Sequence, residues 1–330
     1  MDADALADAR SREWARLEEL SRERLDGAGV DELITRYRAA SADLADLQSS
    51  VGSSPQSAHL STILARARLR LTGQGENVLG QVGRFFARQL PAALYRLRWT
   101  TLVIALASLA VIVGVALWVS SDPALVAALG SKADLQYYAE HSFTDYYTEN
   151  PAAVFAGMVW TNNAWIAAQC VLFGVTGIWP LMVLMQNAVG VGVAVAVMIA
   201  FGRGDVVVLY LLPHGMLELT CIFVAAAAGL HIFWAWLVPG ARSRGEALAR
   251  AGRSLGTVAI GLVFALGLSG LVEGFVTGWG LPWPVKIGIG ALALGVFLAY
   301  MLVLGRRAVR LGETGDLTEF EAGTPTLVAG

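Results

Sequence analysis

Charge is what this chain has least of: Asp, Glu, Lys and Arg supply 15% of its 330 residues, against about 25% in ordinary soluble domains. Hydrophobic residues supply 56%. That balance excludes a typical soluble protein and points to a bilayer. Cysteine is nearly absent, and Cys170 and Cys221 both lie in apolar stretches. A disulfide framework and a CxxC metal site are thereby excluded, leaving two small core residues. Lysine occurs only at Lys132 and Lys286, so arginine carries almost all the positive charge. Residues 1–98 lack an apolar h-region, so no secretory signal peptide is expected before the first span.

What residues 1–98 do contain is helical patterning, with helices expected at about 4–26, 31–50, 56–72 and 76–97. Asp26-Gly27, Gly52 to Pro55 and Thr72-Gly73 serve as the stops. Trp14, Leu17, Leu20 and Leu25 recur at roughly helical spacing, as do Leu33, Tyr37, Leu44 and Leu47, so these faces should pack on one another. The reading is a small helical domain on the cytoplasmic side. From Leu60 to Arg98 the charge is lopsided, with seven arginines against Glu76 alone, which suits an anionic leaflet. Residues 1–59 carry surplus acid and supply no continuous basic face, so nucleic acid is not an expected partner.

Six apolar stretches follow, each near the roughly 20 residues that cross a hydrocarbon core: 99–119, 153–174, 179–201, 213–237, 255–277 and 284–304. The fold class is all-α, a polytopic bundle over 99–305 behind the N-terminal domain. Arg84 to Arg98, Arg242 to Arg253 and Arg306 to Arg310 flank alternate span ends, which makes those segments cytoplasmic by the positive-inside rule. Both termini then lie inside, in a bacterial cytoplasmic membrane. Trp99 and Trp118 bracket the first span as an aromatic belt. The acidic, aromatic stretch 120–150 falls outside, and the acidic end of the chain, 306–330, reads as a disordered cytoplasmic tail.

One cluster stands apart. Pro213-His214-Gly215-x-x-Glu218 lies in a run from Val206 to Gly240 with no other ionisable residue of this kind except His231. A charged group at the centre of a span costs about 2.5–3.5 kcal/mol even on permissive scales, so it normally faces a bundle interior. Pro213 opens the first turn of a helix readily, so a break is expected at Pro213-His214-Gly215, with 206–212 re-entrant or interfacial. The span directions set Glu218 and Glu273 at similar depths. Asn162, Asn163 and Asn187 lie near the middles of spans two and three. The two acids could therefore meet below the outer surface with His214 at the mouth. Two carboxylates withdrawn together from water imply a shared proton or a bound cation. Interhelical hydrogen bonding is the competing reading for all six residues. A zinc hydrolase fails on spacing, because His214-x-x-x-Glu218 lacks the second His of HExxH. No metal or cofactor is expected. Gly267, Gly270, Gly274 and Gly278 allow another helix to approach closely, within the bundle or at a homodimer seam.

In order along the chain, Asn162-Asn163, Gly174-x-x-Gly177, Asn187-x-x-Gly190, Pro213-His214-Gly215-x-x-Glu218-Leu219, Gly229-Leu230 and Glu273-Gly274-Phe275 resemble the stage II sporulation protein M family over about 155–280. Ala188 departs from the Asn-Gly pair the family pattern carries there. The resemblance implies a polytopic membrane protein that, in endospore formers, works with sporulation proteins D and P, which cut peptidoglycan during engulfment. It also implies that Asn162, Asn163, Asn187, His214, Glu218 and Glu273 share one polar centre. Two readings stay open. The first is a non-enzymatic scaffold of a cell-envelope assembly, with lipid and envelope or peptidoglycan-remodelling proteins as partners. The alternative is a proton- or cation-coupled transporter or channel using Glu218 and Glu273, with an intramembrane enzyme third.

Overall fold

The computed structural model describes residues 3–23, 25–50, 54–71, 78–142, 151–277 and 281–317; the side chains of 3–5, 78–79, 142, 152, 214 and 277 are not described. Every regular element among them is helical. The chain divides into two compact units, one of residues up to Gly83 and one from Arg84 onward. Residues 84–98, expected with the N-terminal helices, belong to the second unit.

In the first unit α1 (Ala3–Leu20), α2 (Gly27–Ser50) and α3 (Pro55–Leu71) pack pairwise. Leu33, Tyr37, Ala40, Leu44 and Leu47 recur every three or four residues along one face of α2, and they close on Trp14, Leu17 and Leu20 of α1 and Leu60, Ile63 and Leu64 of α3. Local chemistry sets the helix starts. Asp26 Oδ1 accepts from the Gly29 N–H at 2.9 Å, and Ser54 Oγ accepts from the Ser57 N–H at 3.1 Å, ahead of Pro55 in the first turn. Arg66 reaches Glu18 at 2.9 Å and ties α3 to α1.

Helix α4 (Val78–Arg84) ends at the first residue of the second unit, which continues through a π turn, Phe85–Gln89, into α5 (Leu90–Ser121). No stop separates 90–97 from the first span. Pro91 follows the π turn inside this continuous helix; the Tyr300 hydroxyl donates to the Phe86 carbonyl in that turn, and Leu90, Leu94 and Leu97 are buried. Two short helices follow, α6 (Pro123–Leu129) and α7 (Lys132–Tyr137), then a π turn at Tyr138–Ser142. Phe143, Tyr146 and Tyr147, expected in the outer stretch, lie outside the described residues. The bundle continues with α8 (Ala152–Leu172), α9 (Ile178–Ala200), α10 (Gly204–Leu237), α11 (Arg244–Val272) and α12 (Trp283–Ala299), then α13 (Gly305–Arg310).

Among the described residues, five helices are long and apolar enough to cross a membrane: Gly80–Ser121, Ile178–Ala200, Gly215–Leu237, Arg244–Val276 and Trp283–Arg310. Helix α8 has spanning length too, but Asn162, Asn163 and Gln169 lower its hydropathy. The central element is α10, which touches α5, α8, α9, α11 and α12. Val224, Ala225, Ala226 and Ala227 are fully enclosed, as a helix apolar on every side requires.

Two expectations are corrected here. No break occurs at Pro213: α10 runs unbroken from Gly204 to Leu237 with the proline inside it. The lost bond to the residue 209 carbonyl is compensated by packing, because Pro213 is buried and its carbonyl lies where a Cβ on Gly290 of α12 would sit. Residues 206–212 are accordingly helical, and Val206 and Val207 pack with Ala139 and Met198. The tail is also ordered as far as 317. Arg250 Nε donates to Asp316 at 3.0 Å, Arg96 donates to the Glu313 carbonyl at 3.2 Å, and Gly315, at φ 79°, lies against Ala93.

Candidate functional site: an enclosed acid pair

Glu218 projects from the middle of α10 toward α8 and α11. On α8, Asn163 is 6% exposed; its Nδ2 donates to the Val159 carbonyl at 3.0 Å, and its side chain lies beside the Glu218 carboxyl. Glu273 opens the π turn Glu273–Thr277 that ends α11 and is 2% exposed. Its carboxyl lies within electrostatic reach of Glu218. A π turn widens the backbone by one residue and recurs at functional sites.

Glycine packing brings these three residues together. A Cβ on Gly270 would lie 2.9 Å from the Ala156 carbonyl and 3.3 Å from Trp160 Cβ, so α11 sits directly on α8. The Trp160 indole N–H reaches the Val263 carbonyl at 3.3 Å across the same contact. Where α8 ends, a Cβ on Gly174 would lie 2.6 Å from Gly229 Cα, which brings α10 just as close. Glu218 Oε2 is enclosed and accepts no hydrogen bond among the described residues.

The six expected polar residues separate. Glu218, Glu273 and Asn163 meet. Asn162 is exposed, and Asn187 is half-buried on α9 with no hydrogen bond to the three among the described residues. His214 stands one turn before Glu218 on α10, and its side chain lies outside the described ones. Pro213, Gly215 and Gly274 are buried; Gly215 lines a separate cavity instead of a helix break. Two further residues border the acids. Cys221 is fully enclosed within reach of the Glu218 charge, and Ser269 is 1% exposed one turn before Glu273. Their spacings, three and four residues from the acids, were the available signal. Among the described residues, no three His, Cys, Asp or Glu side chains gather as a metal site would need.

The model of one family, Stage II sporulation protein M, matches residues 101–278, more than half the chain and all three meeting residues. The chain belongs to the stage II sporulation protein M family. The family's region begins inside α5 and ends just after the π turn of Glu273, so the bundle and its acid pair lie within it. Residues 4–73 match a second family, described as a domain of unknown function, DUF8413. Searches of curated proteins and of solved structures found no match.

Proposed function

We propose that this stage II sporulation protein M relative is a non-enzymatic scaffold of a cell-envelope assembly in the bacterial cytoplasmic membrane, with both termini cytoplasmic. The observation that carries this reading is the tightness of the bundle around the acids. Backbone touches backbone at Gly174 with Gly229 and at Gly290 with Pro213, contacts that favour one rigid arrangement over the rocking of half-bundles that alternating access needs. The Asn163–Glu218–Glu273 cluster then acts as a polar lock among three helices. The outer stretch 120–150 meets envelope proteins, including peptidoglycan-remodelling ones, and the N-terminal helices meet cytoplasmic partners. A second copy of the chain is a further partner of this kind.

A second reading rests on the Glu218 Oε2 atom, enclosed without a hydrogen bond. A proton or cation shared between Glu218 and Glu273 would satisfy it, as in a coupled transporter or channel. Purified protein in proteoliposomes under a pH gradient separates the two. The scaffold predicts no flux, and loss of a crosslinked complex from native membranes when residues 120–150 are deleted. A pH-dependent flux abolished by Glu218→Gln and Glu273→Gln, with the complex intact, would establish transport instead.

A further inference from the structure

A cavity of about 770 Å³ lies between α5, α9, α10 and α12, away from the acid pair. Its α10 wall is Met216, Leu219, Thr220 and Phe223; at 100° per residue Glu218 points off another side of that helix. The volume falls in the roughly 300–1,000 Å³ range of small-molecule sites. Along α5 the lining is Arg98, Thr101, Leu102, Ala105, Leu109 and Ile112, one helix face. From Arg98 to Ile112 that face runs about 21 Å, longer than the roughly 15 Å of one hydrocarbon leaflet.

The cavity is apolar along its length and cationic at one end. Arg306 joins Arg98 there, because Gly305 seats α13 on the Pro91 carbonyl and Tyr95. The Arg98 guanidinium stacks 3.9 Å over the Tyr95 ring and donates one hydrogen bond, to the Tyr95 carbonyl at 2.7 Å. Its other donors are uncommitted, and neither arginine has a carboxylate partner among the described residues. One turn deeper, Thr101 is 7% exposed, and its hydroxyl has no hydrogen-bond partner among the described residues. Thr101 itself lines the cavity.

We infer that this cavity binds one anionic phospholipid, its phosphate held by Arg98 and Arg306, its ester carbonyl by Thr101, and an acyl chain laid along α5 toward Ile112. The planar guanidinium forks match phosphate oxygens in pairs, which a zwitterionic headgroup partly neutralises. Leu294 and Leu298 of α12 close the groove over the acyl chain.

The test uses the full-length protein in detergent, supplemented with phosphatidylglycerol or phosphatidylcholine of identical chains, with retained lipid counted by native mass spectrometry. One phosphatidylglycerol per chain is expected, preferred about tenfold, the worth of one charge-assisted hydrogen bond. Arg98→Gln with Arg306→Gln removes the preference, Thr101→Val weakens retention, and Leu219→Trp, which fills the groove, abolishes it. Inorganic phosphate does not displace the lipid. Equal retention of both lipids by the wild type, or an undiminished preference in the double arginine variant, overturns the inference. So does displacement by inorganic phosphate, which would assign the arginines to a free anion. If Leu219→Trp fails to fold, the double arginine variant decides the matter, since Arg306 is exposed and Arg98 half-exposed.

Discussion

Trp14 and Asp43 show what a single pair can decide in the N-terminal unit. The indole N–H donates to Asp43 Oδ2 at 3.0 Å, and both residues are buried, at 5% and 7% exposure. Trp14→Phe keeps an aromatic ring, smaller than the indole, and removes the donor, leaving a buried acceptor short of one bond at a cost of about 1–3 kcal/mol before any packing loss. Circular-dichroism melts should show that loss; an unchanged melt would mean Arg10, 3.7 Å away, already satisfies the carboxylate. Glu32 makes a weaker, pH-dependent contribution. Arg16, at 3.3 Å, and then Arg36, at 2.7 Å, hold its carboxyl below the ordinary 4.5. A lowered folded-state value stabilises above that ordinary value and ceases to do so as pH falls through the lowered one. The stability gap between wild type and Glu32→Gln should therefore be present at neutral pH, vanish in acid and shrink in high salt. At this scale the sequence was legible where charge was lonely: Glu218 and Glu273 declared themselves by their apolar surroundings. Asn162 and Asn163 could not be told apart, because adjacent positions differ by only 100° and packing alone decides which one enters the core.

At the scale of elements, periodicity placed the helices, and backbone contacts decided how they continue. Pro213 carried a stop signal, yet α10 passes through it, since buried contacts on several sides outweigh a cost of about 3 kcal/mol. Nothing in the spacing of Gly290 announced that it would cradle the Pro213 carbonyl; that requires two helices already docked. The same contact gives a prediction. Gly290→Leu places side-chain atoms against a backbone carbonyl that cannot yield, so α12 must move off α10, at a cost of about 1–3 kcal/mol. At about 2–4 °C per kcal/mol for a cooperative unit of roughly 150–250 residues, the size class of the bundle, the purified protein should lose several degrees of thermal stability. Gly288→Leu is the matched control, because nothing lies within 4 Å of its Cβ position. Equal losses in both variants would show that helix propensity, not the α10–α12 contact, sets the effect.

At the scale of the molecule, two family matches coincide with two structural units. The domain of unknown function covers 4–73 and the sporulation family 101–278, while the contact division falls after Gly83. That boundary was not legible as placed at 98, because the arginine-rich segment 84–98 reads as polar and charged, yet its Leu90, Leu94 and Leu97 belong to the bundle core. If the units are energetically separate, residues 1–83 should fold alone. They carry their own core of Trp14, Leu17, Leu20, Leu33, Leu47, Leu60 and Ile63, each no more than 5% exposed, and chains of about 60 residues already fold unaided. Trp14 is the one tryptophan among them, so its fluorescence reports the α1–α2–α3 packing without interference. The fragment should be soluble, helical and cooperative in denaturant, with fluorescence and circular-dichroism transitions that coincide. Helical signal without a cooperative Trp14 transition would mean that these helices form locally but need the remainder of the chain to pack, and the two family matches would then describe one folding unit.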